Sequence, residues 1–363
     1  MRSFITAFRI CLLLAFIATC YLAFWPVPID PKMHAPTIKV ELTGVLTPNN
    51  KLSKAEKIGP LTSASPISIA FDKTGWLYTG VENGDILRMR PDGSEMTVFA
   101  KVEKQPSALY FDLDENLIVA LIRGGFISID KSGTITHLLS SAEGVPFQFE
   151  GGGIAQNSEG VMYFIDSFSK FGDIPPFEAY AYEIMESSSS GRLIEYNPKS
   201  KKIRVLLNNL LFPTGLCISP DKSFLLINQC TGGNILRYWL KGSLAGKTEI
   251  FVSLPGYSDL SSVDKNGIYW ICMNAPRFEG FENLAERPFI RKVIMRLPGS
   301  WNMIPFPPEG GAFILGVNDK GEFVYNFGGA GSEMPNFTSV VEHEGYLYIG
   351  NLGSSEFIYR VKI

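Results

Sequence analysis

The chain has 363 residues, 45% hydrophobic and 19% charged, the balance of a globular protein with a sizeable core rather than a disordered or fibrous one. Lys and Arg number 33 against 36 Asp and Glu, a net charge of −3, so no global field draws the chain to nucleic acid or anionic lipid. Its 35 Gly, 23 Pro and 12% aromatic residues predict an all-β chain of short, half-buried strands joined by tight turns.

Ile10 to Trp25 carries no charge. With Phe4–Phe8 upstream it reaches the roughly 20 residues a helix needs to cross a bilayer. Arg2 and Arg9 precede the apolar centre and Asp30 follows it, which predicts a short cytoplasmic N-terminus over 1–9 and a transmembrane signal-anchor over 10–25. The rest of the chain then belongs on the extracytoplasmic or lumenal side. Cleavage is disfavoured, because the run ends in bulky Leu22-Ala23-Phe24-Trp25 rather than in small residues. Pro26 and Pro28 stop the helix. Residues 26–60 read as a stalk, with a peripheral strand from Ile38 to Leu46 expected to pair with Phe357–Ile363.

From 61 to 363 one unit recurs six times: an apolar strand, a turn rich in Asp, Asn or Gly, and a second strand with aromatics. Ile67–Asp72 with Trp76–Gly80 is the first copy, and Ala108–Asp112 with Leu117–Ala120 the second. Gly153–Ala155 with Val161–Asp166 and Gly215–Ser219 with Phe224–Ile227 follow. Leu260–Val263 with Ile268–Ile271 and Val340–His343 with Tyr346–Gly350 complete the set. A period of this length built from short strands predicts a six-bladed β-propeller, whose blades bury their faces against one another. The long link between Phe168 and Gly191 holds a helical stretch, Pro176 to Met185, readable as a lid over the channel or as a solvated insertion.

Cys217, Cys230 and Cys272 sit in apolar runs without C-x-x-C spacing, so they read as small hydrophobes, with a Cys217–Cys230 disulfide left open. Of three histidines, His343 reads as a solvent-facing turn residue and His137 as an outer-strand residue. No Ser-His-Asp set, phosphate loop or basic patch stands out. Asn336-Phe337-Thr338 is an N-glycosylation sequon.

Several segments carry a family likeness. Gly191-Arg192-Leu193 with Tyr196 and Pro198, Leu211–Gly215, Ser219–Leu226 and Ile235–Gly242 followed by Leu254–Tyr257 resemble the strictosidine synthase-like family. The resemblance extends to membrane-anchored arylesterase-like proteins and to lactonases of the gluconolactonase and paraoxonase type. It implies a six-bladed propeller and, in the hydrolase members, one channel calcium that polarises an ester or lactone carbonyl.

The positions implied for that calcium depart from the pattern. The blade-one Glu corresponds to Ile67, the Asn-Asp pair begins at Gly152, one Asn falls at Thr214, and another becomes Leu260 beside a retained Asp259. Calcium takes six to eight oxygens, so no cofactor is expected; a retained calcium would rest on Asp259. For the metal-free synthase chemistry, the family's catalytic Glu corresponds to Thr338 and its His to Asn336, and a threonine hydroxyl is no proton acceptor near neutral pH. Asp259, Glu150 and Glu333 remain the catalytic candidates, as a carboxylate cluster or, for the two glutamates, as exposed loop residues. These residues favour a propeller with a degenerate centre that binds a small apolar ligand or a partner protein. A hydrolase of small esters or lactones is the alternative.

Overall fold

A computed structural model describes residues 2–34, 37–297, 311–329 and 335–363. Helix α1, Arg2–Phe24, contains a 21-residue apolar stretch, Phe4–Phe24, with mean hydropathy 2.1, which is not buried in the body of the protein. At 1.5 Å per residue that stretch is about 31 Å long, long enough to cross a hydrocarbon core.

Beyond it lie six four-stranded antiparallel sheets, one per repeat. Their first strands are Ile69–Phe71, Pro106–Phe111, Ile154–Gln156, Pro213–Ile218, Gly256–Val263 and Asn336–His343. Each of these touches the first strand of the blade on either side, so together they form a closed ring around a central channel. The second strands are buried on both faces, as in Leu117–Leu121 and Phe224–Gln229, and for that reason read as unbroken apolar runs. Between blades one and two, for example, Tyr78, Ile86, Leu109, Leu117, Val119 and Ile127 form one cluster. Turns between first and second strands reuse one device. The Asp72 carboxylate accepts the amides of Thr74 and Trp76, and Asp264 accepts those of Asn266 and Ile268. Gly75 and Gly267 follow at φ near 80°, where other residues are strained.

Ring closure differs from the sequence expectation. Glu56–Ile58, not Ile38–Leu46, pairs antiparallel with the C-terminal strand Ile358–Lys362, with Lys57 opposite Tyr359. Ile58 is the inward residue of that strand and is buried with Leu77 and Leu87 of blade one. The described part of the earlier segment is a strap without strand structure, ending in a 3-10 turn, Gly44–Leu46, that buries Leu46 against blades four and five. Alternation in sequence marks a strand only where an open edge lies within reach. Here the edge is taken by the segment nearest in chain to blade one.

Two insertions rise from the face where the first strands begin, each joining a second strand to a third. Blade three contributes helix α2, Pro176–Glu186. Blade five contributes α3, Glu279–Glu282, and α4, Pro288–Met295. This is the lid face.

Candidate functional site

At the channel centre, Ile67 and Leu260 are both buried and belong to one apolar cluster with Ala108 and Ile154. The polar residues around them stitch blades together. The Thr338 hydroxyl donates to the Ile67 carbonyl at 2.7 Å, Thr214 to the Ser258 carbonyl at 2.8 Å, and Ser262 to the Val340 carbonyl at 2.7 Å. Gly152 is required by packing, since a Cβ there would lie 2.6 Å from Ile165 Cγ2 and 3.0 Å from the Pro213 carbonyl. Asn336 is exposed at the start of the blade-six strand. Alkyl groups and already bonded hydroxyls are a poor cage for a hard cation, and among the described residues no three His, Cys, Asp or Glu side chains cluster to hold a metal. The residues present do not fit the calcium that the resemblance implies. Away from the lid, a cavity of about 360 Å³ opens the channel to the opposite face, past Phe71, Tyr110, Phe111, Lys222 and Glu342.

Glu150 is not an exposed loop residue. It is 1% exposed, and its two carboxylate oxygens accept the backbone amides of Arg123 and Gly125, both at 2.8 Å. Burial pushes its pKa up to about 7, and the neighbouring charge that raises it further is Asp166, not Asp259. Glu333 lies outside the described residues. His343 is half-buried and stacks on Phe71 across the seam between blades six and one, with ring centroids 3.9 Å apart, instead of facing solvent. His137 does lie on the exposed outermost strand of blade two. Cys217 and Cys230 are both buried and free. Strand register sets Cys217 opposite Leu226, whereas Cys230 lies past the far end of that strand, so the two thiols join different apolar clusters.

Asp259 sits elsewhere in character. The pairing of the first two strands of blade five jumps between Ser258 and Ser261, so Asp259 and Leu260 form a bulge. A bulge re-aims side chains, and here it turns the Asp259 carboxyl toward the lid. Its Oδ1 accepts the Leu260 amide at 3.0 Å and its Oδ2 accepts Asn274 Nδ2 at 3.3 Å. Burial pushes its pKa up to about 8, with the Asn274 bond opposing. Near neutral pH the group is a carboxylic acid.

Helix α2 covers it. Pro176 at the start of the helix suits the fixed φ of a first turn, and Ser187, at φ 50°, ends it. Ala179 and Met185 are fully buried, so the segment is a packed lid rather than a solvated insertion. Phe149, Phe168, Phe212 and Tyr257 build an aromatic layer with it. Tyr180 reaches Asn274 and Asp259, and burial raises its hydroxyl well above the usual tyrosine value. Cys230 adjoins the same acid, and its thiol is pushed up to about 12. Tyr180, Asp259 and Asn274 each keep part of their surface open, and Asn274 Oδ1 is buried without a hydrogen-bond partner.

The lid is pinned by charged groups at its ends. Asp166 and Arg192, both buried, form a two-pronged pair at 2.6 and 2.9 Å where blade three enters and leaves the insertion. Ser188 donates to both oxygens of Glu183, and Arg291 of α4 donates to the carbonyls of Met185 and Glu186. Tyr180, Asn274, Arg192 and Arg291 were not among the residues singled out from sequence. Arg192 stood inside a quoted family segment, and that was its only signal.

The strictosidine synthase family pattern matches residues 154–243, and the strictosidine synthase-like N-terminal pattern matches 44–89. Adipocyte plasma membrane-associated protein of Gallus gallus is 29% identical over 93% of this chain and 84% of its own. Protein strictosidine synthase-like 10 of Arabidopsis thaliana is 29% identical over 82% of this chain and 85% of its own. Among solved structures, a gluconolactonase from Xanthomonas campestris superposes with a TM-score of 0.60 at 16% identity, covering 94% of this chain and 98% of that one. At that identity the superposition speaks for the fold alone. Two family patterns over parts of the chain, relatives matching along nearly its whole length and the six-bladed ring agree: the chain is a six-bladed propeller with an N-terminal apolar helix, similar to strictosidine synthase-like proteins.

Proposed function

We propose that the cluster of Asp259, Asn274 and Tyr180 beneath the α2 lid binds a small, uncharged, mainly apolar molecule carrying one polar group, and that the chain is a membrane-anchored binding protein with its N-terminus cytoplasmic. The carrying observation is Asp259, kept as a neutral acid beside Asn274 and Tyr180 beneath an aromatic lid. Asp259, Asn274 and Tyr180 present no net charge near neutral pH, and Arg277 nearby is already paired with Glu282, so a charged ligand would lose its hydration without a free counter-charge. The Asp259 O–H donates and Asn274 Oδ1 accepts, a pair that suits a hydroxyl or an amide.

Hydrolysis of an ester or lactone is the second reading, and Asp259 favours it as an acid still protonated near pH 7. Ranged against it, the guanidinium reaching this region, Arg277, is committed to Glu282 at 2.6 Å and to the Cys230 carbonyl at 3.3 Å. A developing oxyanion then lacks a strong donor. Organic extraction of the detergent-purified chain, followed by mass spectrometry, is expected to release a neutral molecule from the parent and not from a Tyr180→Ala, Asp259→Ala variant. An anionic ligand shared by both proteins would contradict the reading.

A further inference from the structure

The stalk leaves α1 against the lid face. Arg296, just past the end of α4, donates from Nε to the Trp25 carbonyl at 2.6 Å and from Nη1 to the Leu22 carbonyl at 2.9 Å. Lys292 of α4 pairs with Asp30 at 2.7 Å, and Arg291 donates to the Lys32 carbonyl at 2.8 Å. Ile29 is buried at 2% exposure, so the stalk is packed and not a free tether. Four residues of chain are thus held within one short helix of the point where the apolar stretch ends.

Helix α4 is two-sided. Arg291 is 1% exposed and faces inward, while Phe289 and Ile290 are 57% and 41% exposed. Phe289 stands one helix length before Arg296, about 10 Å along the axis. Phe24 and Trp25, at the end of α1 and bonded through the Trp25 carbonyl to Arg296, are 81% and 60% exposed. If α1 crosses a bilayer, its last turn lies at the interface, and so does everything within about 10 Å in depth. We infer that α4 lies in the plane of that interface, with Phe289 and Ile290 among the acyl chains, so that the lid face of the propeller is seated on a phospholipid bilayer. An aromatic and aliphatic face on a helix whose opposite face is polar is the pattern of an interfacial helix. The inward Arg291 also holds the end of the lid helix, so the seat and the lid share one anchor point. The inference rests on the reading of α1 as a membrane anchor, which alkaline carbonate washing tests separately: release from membranes would sink that reading alone.

The test uses the full chain with Cys11→Ala and Cys20→Ala, reconstituted in phosphatidylcholine vesicles. The remaining cysteines, Cys217, Cys230 and Cys272, are buried. A single fluorophore is placed through Phe289→Cys, Ile290→Cys or, as the control on the opposite face, Leu113→Cys, which replaces a residue 54% exposed. Labelling of one thiol per chain reports that the fold is intact. Nitroxide-bearing phosphatidylcholine is expected to quench positions 289 and 290 several-fold more than 113, and aqueous iodide to quench 113 several-fold more. Equal iodide quenching at all three positions overturns the inference. Protection of 289 and 290 from both quenchers, as a second copy of this chain would give, overturns it too.

Discussion

Arg192→Met is expected to destabilise the propeller by about 3–5 kcal/mol, the usual cost of removing one partner from a buried ion pair. The guanidinium makes both bonds to Asp166 and also reaches the carbonyls of Ala142, Val145 and Pro146 at 3.3–3.4 Å. Without it, Asp166 keeps only long contacts, 3.4 Å, from the amides of Gln148 and Phe149. Burial already lifts Asp166 to about 6 while Arg192 pulls it down, so the orphaned acid rises further and takes up a proton. The loss should therefore grow as pH rises, and Asp166→Asn in the same chain should recover part of it. Denaturant unfolding at pH 5 and pH 8 measures both effects. A loss below about 1 kcal/mol at pH 8 would place the pair among exposed bridges that contribute little.

Asp259→Asn is expected to act in the opposite direction. The folded acid titrates near 8, the unfolded one near its ordinary value of about 4. Between those values the folded chain holds a proton that the unfolded chain has lost, so folding is progressively disfavoured as pH rises from about 4 to 8. Asparagine has no proton to lose. The variant should match the parent near pH 4 and exceed it by pH 8, on the order of 3–5 kcal/mol. Glu183, also lifted to about 8, and Glu150, lifted to about 7, carry the same sign, so a residual slope remains in the variant. A variant less stable than the parent at every pH would mean that Asp259 is held as a carboxylate, by a cation or by a donor. The same titration predicts that affinity for a neutral ligand falls above about pH 8.

What the sequence carried and what it concealed divide along a physical line. Blades are local: the turns between first and second strands are closed by side chains of their own, such as Asp72, Asp112, Asn157 and Asp264, so the sixfold repeat is visible without any long-range contact. The N-terminal apolar helix is a compositional feature, and the lid helix announces itself by Pro176 and by an insertion too long for a hairpin. The exchange of oxygen donors at Ile67 and Leu260 was visible as side-chain chemistry, and the channel centre is apolar for that reason. The cluster around Asp259 was not visible. Asp259 meets Asn274 because of a bulge, and Tyr180 arrives from another blade, neither of which leaves a periodic trace. Glu150 follows Phe149 and precedes three glycines, a context that reads as an exposed loop. Its burial depends on two backbone amides about 25 residues away. His343 was misread for a similar reason, since its partner Phe71 lies at the other end of the chain.

The most direct test of a neutral, metal-free centre is the melting temperature of the detergent-solubilised chain in excess calcium and in excess EDTA. A bound native-state ligand adds RT ln(1 + [L]/Kd), about 2.7 kcal/mol at a hundredfold excess. With alkyl groups at 67 and 260 and with the hydroxyls of Thr214 and Thr338 committed to blade seams, the two melting curves should coincide. A clear rise in calcium, reversed by chelation and abolished by Asp259→Asn, would contradict the account and make the centre a metal site.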